Sequence, residues 1–284
     1  MRMEDVSSSL EPGPEGIYVS SGPTEVSYAS HGHAGCYGVE DRSFWFRHRN
    51  DCIAGMIRNH PPPDRRLLDV GGGNGFVAQR LISEGYDVVL LEPGIEGALN
   101  ARSKRGLPHV ACSRIEDAGF FPGSFGGVGM FDVIEHIDRD REFLEKLRPL
   151  LAPGGKLYLT VPCHQWLWSQ ADVDAGHFRR HTRTSLQSML DGLFTIDYLS
   201  FFFRPLVLPQ YLVRALPHRL GLGRKQAMLS TEAEHGTRTR GLTAHAVRIV
   251  NAMLAGEARR IAANESIGFG ASCLVAATRR DGPD

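Results

Sequence analysis

Apolar positions along the chain recur with two periods, and they divide it into strands and helices. Leu67–Val70 is a short apolar run that reads as a strand, glycines follow it, and Phe76–Ser83 reads as a helix. Asp87–Leu91 is a nearly continuous apolar run of the kind that parallel strands show. A helix over Gly97–Arg105 and a short third strand over Val110–Cys112 come next. The fourth strand, Gly127–Val133, is weakened by its glycines. Arg139–Arg148 places Phe143, Leu144 and Leu147 at helical spacing, and Pro149, Pro153, Gly154 and Gly155 stop it before a fifth strand at Lys156–Val161. Upstream, Glu40–Ile57 reads as a helix. Downstream the rhythm changes. Leu193–Phe203 is a sixth strand and Ser272–Thr278 the last, with a long insertion between them. The insertion holds an apolar piece (Leu206–Leu216), a polar loop suited to disorder (Arg224–Gly241) and a helix (Ala244–Ala263). Strands alternating with helices imply a parallel, doubly wound α/β sheet.

With 284 residues the chain has room for one large domain with an insertion. Lys and Arg together number 32, matched by 32 Asp and Glu, so no concentrated positive surface argues for a nucleic-acid partner. The five cysteines are scattered without a C-x-x-C pair, which speaks against a zinc site or a disulfide framework and for a reducing, cytoplasmic setting. Residues 1–30 are acidic and rich in Pro, Ser and Gly, lack the apolar core of a signal peptide, and read as a disordered arm. Asp197, Arg204, Pro205, Pro209 and Arg214 interrupt the longest apolar region, which argues against a membrane-spanning helix. His31 and His33 form an H-x-H pair with no evident third ligand, so no metal is expected. No G-x-S-x-G nucleophile turn is present.

The candidate chemistry sits at Leu67–Phe76. Strand, tight turn and helix N-terminus form a common nucleotide-binding layout. Gly71, Gly73 and Gly75 let the backbone turn sharply and a ligand approach closely. Asp69 stands where a carboxylate meets a positive or hydrogen-bond-donating ligand. Glu92 ends the second strand, where it accepts hydrogen bonds from ribose hydroxyls. Gly73, Gly75 and Ala78 also satisfy the looser dinucleotide fingerprint, so these residues alone leave an NAD-dependent oxidoreductase open.

The pattern D-x-G-x-G-x-G from Asp69 resembles motif I of the class I S-adenosylmethionine methyltransferases. Asp132, Val133, Glu135, His136 and Asp138, then Leu151, Pro153, Gly154 and Gly155, resemble the region after strand four in small-molecule members of the ubiquinone-pathway type. Trp168, Asp172, His177, Arg180 and Thr182 match a family stretch after strand five, with His181 where tyrosine is common. Ser43–Asn50 resembles the helix that covers the cofactor. The resemblance implies a Rossmann-like fold with a mostly parallel seven-stranded sheet, an antiparallel last strand and a helical lid or insertion. It implies a disordered arm at 1–30, a cofactor-covering segment at 31–60, a core at 61–203, a lid, substrate or dimer insertion at 204–268, and a last strand and tail at 269–284.

For S-adenosylmethionine, the resemblance implies contacts from Asp69, Gly71, Gly72, Gly73, Asn74, Gly75, Glu92 and Pro93. It places Ile115 and Glu116 at the adenine, although Arg114 occupies the usual acidic position. It places Met130, Phe131 and Asp132 at the methionine portion, Trp45 as a wall, and Arg47 or Arg49 as a carboxylate clamp. His177, then His136, then His181 are candidates for a base or a substrate hydrogen-bonder. The function implied is methyl transfer to an O or N nucleophile of a small molecule. A non-methylating use of the same cofactor and a non-catalytic binding module stay open. The Phe, Leu and Arg mix after Phe201 also suits an apolar or lipid-like substrate, and the insertion suits a homodimer contact.

Overall fold

The computed structural model describes residues 1–20, 40–41, 43–222 and 242–281. Among the described residues nine strands form one sheet: β1 (Glu11–Pro12), β2 (Tyr18–Val19), β3 (Arg66–Val70), β4 (Asp87–Leu91), β5 (His109–Cys112), β6 (Phe125–Phe131), β7 (Leu151–Pro162), β8 (Phe194–Phe202) and β9 (Ser272–Arg279), in the order β1-β2-β5-β4-β3-β6-β7-β9-β8. From β2 through β7 all neighbours are parallel, while β9 runs antiparallel to both β7 and β8. The seven strands expected from the sequence are therefore present, with the expected antiparallel last strand.

Successive residues of the central strands face opposite layers, as the strand period requires. Leu68, Val70, Val89, Leu91, Val128 and Met130 fill one core. Leu67, Val88, Leu90, Phe131 and Tyr158 fill the other, together with Cys52, Ile53, Met56 and Ile57. Those last four lie on α1 (Phe44–Asn59), which Ser43 caps by accepting the Trp45 N–H. The other principal helices are α2 (Phe76–Ser83), α3 (Ile95–Leu99), α4 (Asp140–Leu147), α5 (Gln170–Asp174), α6 (Arg183–Leu190) and α7 (Leu242–Ala262). After α3 the helix loosens into a π-helical turn at Asn100–Lys104. Strand β7 begins earlier than the proline–glycine stop predicts. Leu151 pairs with Phe125, the register then breaks, and Lys156 pairs with Gly127, so the intervening residues form an irregularity within the strand.

The first twenty residues depart from the expected disordered arm. Met3, Val6, Leu10 and Ile17 are buried, Ser7 Oγ donates to Ala118 O at 2.6 Å, and β2 adds to β5 through Tyr18↔Ala111 and Val19↔Cys112. A few apolar side chains and an open sheet edge outweigh the polar composition, and the added strands cover that edge. The rest of the arm, the pair His31 and His33, and all of the predicted loop Arg224–Gly241 lie outside the described residues. The insertion continues from β8 through helical turns at Arg204–Leu206, Val207–Gln210, Tyr211–Ala215 and Leu216–Arg219. Its long helix, α7, packs on α1, where a Cβ on Gly55 would lie 3.3 Å from Ala262 Cα. Among the described residues no helix is long and apolar enough to cross a membrane.

Candidate active site

Strand order reverses at β3. The chain goes from β3 to β4 on one side and returns to β6 on the other, and such switch points open a crevice at the carboxyl ends of the strands. The glycine turn lies there. Gly71, Gly73 and Gly75 all have positive φ, at 67°, 53° and 81°, a conformation that costs glycine little. A Cβ on Gly72 would lie 2.8 Å from both Asp69 Oδ2 and Leu90, so the turn closes tightly over the carboxylate. Asp69 is 2 % exposed and its Oδ2 has no hydrogen-bond partner. Burial, reinforced by the Glu92 charge and opposed by Arg49, lifts its pKa to about 7. Glu92 accepts the Gly73 N–H at 2.9 Å and the Gly94 N–H at 2.7 Å, which fixes Pro93 and the loop around it. Asn74 is held between Glu40 (3.1 Å) and Asn100 (3.0 Å), and Glu40 pairs with buried Arg105 at 2.7 Å.

The end of β6 forms the second wall. Asp132 has φ 58°, a strained position for a residue with a Cβ. Three contacts hold it: Thr160 Oγ1 donates to Oδ1 at 3.0 Å, its own N–H donates to Thr160 O at 3.0 Å, and Arg49 Nε lies 2.5 Å from Oδ2. Arg49 also donates to Phe131 O at 2.6 Å. Trp45 stacks on Phe203 at 5.2 Å, with the Arg49 guanidinium 5.7 Å from its ring centroid. Arg49, not Arg47, thus faces the strand end, since Arg47 is exposed on the helix. Met130 is fully buried in the core layer opposite Phe131.

At the third wall, Ser113 Oγ lies 2.7 Å from Ser20 Oγ of the N-terminal arm. Ile115 packs half-buried on the core. Glu116 is exposed between Arg114 (3.8 Å) and Lys146 (3.9 Å), a surface ion cluster, which does not place it as an adenine acceptor.

The three histidines separate into two settings. His136 and His177 meet edge to face, with ring centroids 4.6 Å apart. His177 Nδ1 donates to Asp172 Oδ1 at 3.0 Å, and Arg180 grips both oxygens of Asp172 at 2.7 and 3.1 Å. Burial pushes the Asp172 carboxyl up, but the His177 hydrogen bond and the Arg180 charge prevail and hold it at about 2. Burial and His177 lower the His136 pKa to about 4. Glu135, 1 % exposed, is pushed well above the usual carboxylate range by burial and by Asp132. His181 is corrected from a candidate base to a wall residue. It is 1 % exposed, its backbone bridges Cys163, its Nδ1 lies 3.4 Å from Ser185 Oγ, and burial lowers its pKa to about 4.

Sequence reasoning underrated Glu135, Asp172, Arg180 and Thr160 as site residues. The D-x4-H-x2-R spacing of Asp172, His177 and Arg180 was a usable signal. Thr160, one residue within an apolar strand, carried none.

A family model described as a methyltransferase domain matches residues 44–193. The ubiquinone biosynthesis O-methyltransferase of Pectobacterium carotovorum is 27 % identical over 117 residues, covering 39 % of this chain and 49 % of that protein. A probable chloroplastic tocopherol O-methyltransferase of Oryza sativa is 25 % identical over 173 residues, covering 55 % and 48 %. The chain spans about half the length of these curated relatives. Among solved structures, a chain from the complex between the Haloferax volcanii Trm112 methyltransferase activator and a methyltransferase superposes with TM-score 0.54 at 15 % identity, covering 89 % of this chain and 96 % of that one. A Thermotoga maritima S-adenosylmethionine-dependent methyltransferase superposes with TM-score 0.52 at 14 % identity, covering 88 % and 96 %. At these identities the structural likeness is one of fold.

Proposed function

The chain belongs to the methyltransferase-domain family, class I enzymes that use S-adenosylmethionine, and from this premise we propose that it methylates an oxygen nucleophile of a small-molecule acceptor. The observation that carries the reading is Asp69: a buried carboxylate with an orphaned oxygen, beneath three left-handed glycines at the switch point of the sheet. An orphaned buried acceptor is costly unless a ligand donor meets it, and the ammonium group of an amino-acid-bearing adenosyl cofactor is such a donor. Glu92, ordered at the end of β4 by the Gly73 and Gly94 N–H groups, is the acid that would accept from ribose hydroxyls. Asp132 and Arg49 stand where the methionine portion would lie, and Trp45 with Phe203 closes that end against water.

When bound, the cofactor supplies a methyl group made electrophilic by a sulfonium. The chain's part is mainly alignment, which contributes on the order of several kcal/mol. That methyl would pass to the acceptor oxygen with S-adenosylhomocysteine as the leaving group, and the acceptor's hydroxyl proton would pass to solvent. His177, its Nδ1 held by Asp172, is assigned to the acceptor side, where it acts through Nε2, directly or through an ion bound there.

Calorimetric titration of S-adenosylmethionine, and separately of NAD, into the protein and its Asp69→Ala variant tests the reading. Binding of S-adenosylmethionine that the variant loses, followed by S-adenosylhomocysteine as the product of turnover, supports it. Absence of that binding overturns it. Methylthioadenosine as product would move the chemistry to another carbon of the same cofactor.

A further inference from the structure

Beside the cofactor pocket, at the carboxyl end of β6, Glu135, His136 and His177 each present one potential ligand atom within 4.8 Å of the other two. Two separate elements bring them together. Glu135 and His136 lie on the 3-10 turn Ile134–His136, and His177 lies in the loop after α5. The Phe178 N–H donates to Glu135 O at 2.8 Å and ties that loop to the turn.

We infer that this group binds a divalent first-row transition-metal ion, which presents the acceptor oxygen to the methyl donor. Three observations support it. First, the donor set of two imidazoles and one carboxylate suits such ions better than an all-oxygen set would, and three protein ligands leave positions open. Secondly, Glu135 is 1 % exposed, yet its Oε2 has no hydrogen-bond partner among the described residues. A buried carboxylate in that state is costly, and a cation satisfies it. Thirdly, the outer partners are arranged as they are around metal-bound histidines. The carboxylate of Asp172 holds His177 Nδ1 and leaves Nε2 to face an ion, and Arg180 fixes that carboxylate in turn. Bonds of about 2.1 Å set tetrahedral ligand atoms about 3.4 Å apart, so atoms within 4.8 Å of one another close on an ion through side-chain shifts of about 1 Å.

The ion itself needs only these residues; that its open positions take the acceptor hydroxyl rests on the methyltransferase reading. An oxygen bound there loses its proton to solvent more readily, because the cation stabilises the oxyanion. Asp172 and Arg180 are positioning residues, and the three ligands are the groups that touch the ion. The expectation from sequence, which weighed the cysteines and the pair His31 and His33 and discounted a metal, missed this group because its third member lies 41 residues from the second.

The test uses the full chain, freed of metal with a chelator and titrated with Co2+, Mn2+ or Zn2+. The expected result is one ion per chain, a Co2+ visible absorption band typical of imidazole ligation, and a rise in Tm on metal addition. Glu135→Gln and His177→Ala should each weaken binding at least tenfold, and Asp172→Asn should weaken it by about tenfold or more through His177. Asp69→Asn, which acts on the cofactor pocket, should leave metal affinity unchanged. If S-adenosylmethionine also fails to bind, the methyltransferase reading fails while the metal result stands. The inference is overturned if the wild-type chain shows neither the Co2+ band nor the Tm rise. It is equally overturned if binding persists undiminished in Glu135→Gln and His177→Ala variants whose circular dichroism matches wild type.

Discussion

Asp69 and His181 are both buried ionisable residues, and burial shifts them to opposite effect. Asp69 titrates near 7 because its charge is desolvated beside Glu92. A cationic ligand group favours the ionised carboxylate, so binding must displace its proton when the pH lies below that value. Cofactor affinity is therefore expected to rise by up to tenfold per unit as pH climbs toward 7, and to level off above it. Calorimetry in buffers of different ionisation enthalpy would show the released proton, and Asp69→Asn should remove the slope along with most of the affinity. His181 is buried in its neutral form, with its folded pKa near 4 against an ordinary value of 6.5. Between those values the unfolded chain binds the proton and the folded chain does not. This contribution to stability is therefore full above about pH 6.5 and is lost as pH falls toward 4, on the order of 3 kcal/mol in all. Urea unfolding at pH 7.5, 6 and 5 would measure it, and His181→Gln should flatten that part of the profile. The glycines and Asp69 were legible in sequence because backbone chirality and strand–turn–helix order are local. The demotion of His181 was not, because its burial depends on Cys163 and Ser185 around it.

At the scale of elements, α1 and α7 are fastened across the insertion by one carboxylate. Glu257 pairs with His48 at 3.2 Å and accepts the N–H groups of Phe203 and Arg204 at 2.9 and 2.8 Å. Phe203 has φ 59°, so this carboxylate also holds a strained residue, the one on which Trp45 stacks. Glu257→Ala should cost about 3 kcal/mol of stability, since it strands a buried histidine and two backbone donors. It should also weaken cofactor binding by loosening the Trp45 wall. A lower Tm together with changed tryptophan fluorescence would confirm this, and an unchanged Tm would remove Glu257 from the account. Helices such as Phe76–Ser83 were readable because eight residues display a helical period. The two-residue strands Glu11–Pro12 and Tyr18–Val19 are too short to display any period.

For the whole molecule, the N-terminal arm makes the sheet nine strands wide and covers the β5 edge. Deleting residues 1–20 removes four buried apolar side chains at roughly 1.5–3 kcal/mol each as an upper range and bares that edge. A lower Tm and concentration-dependent association in light scattering are expected, and an unchanged melting curve would show that the arm is dispensable. The sequence by itself determined the parallel α/β sheet, the glycine turn and its acid, and the family, because strand and helix periods and glycine placement act over short stretches of chain. Only the tertiary structure decided which arginine faces Asp132, which histidine sits in a wall, and that Glu135, His136 and His177 converge. Those outcomes depend on burial and on distances between residues far apart in the chain, and both are set by how the layers pack.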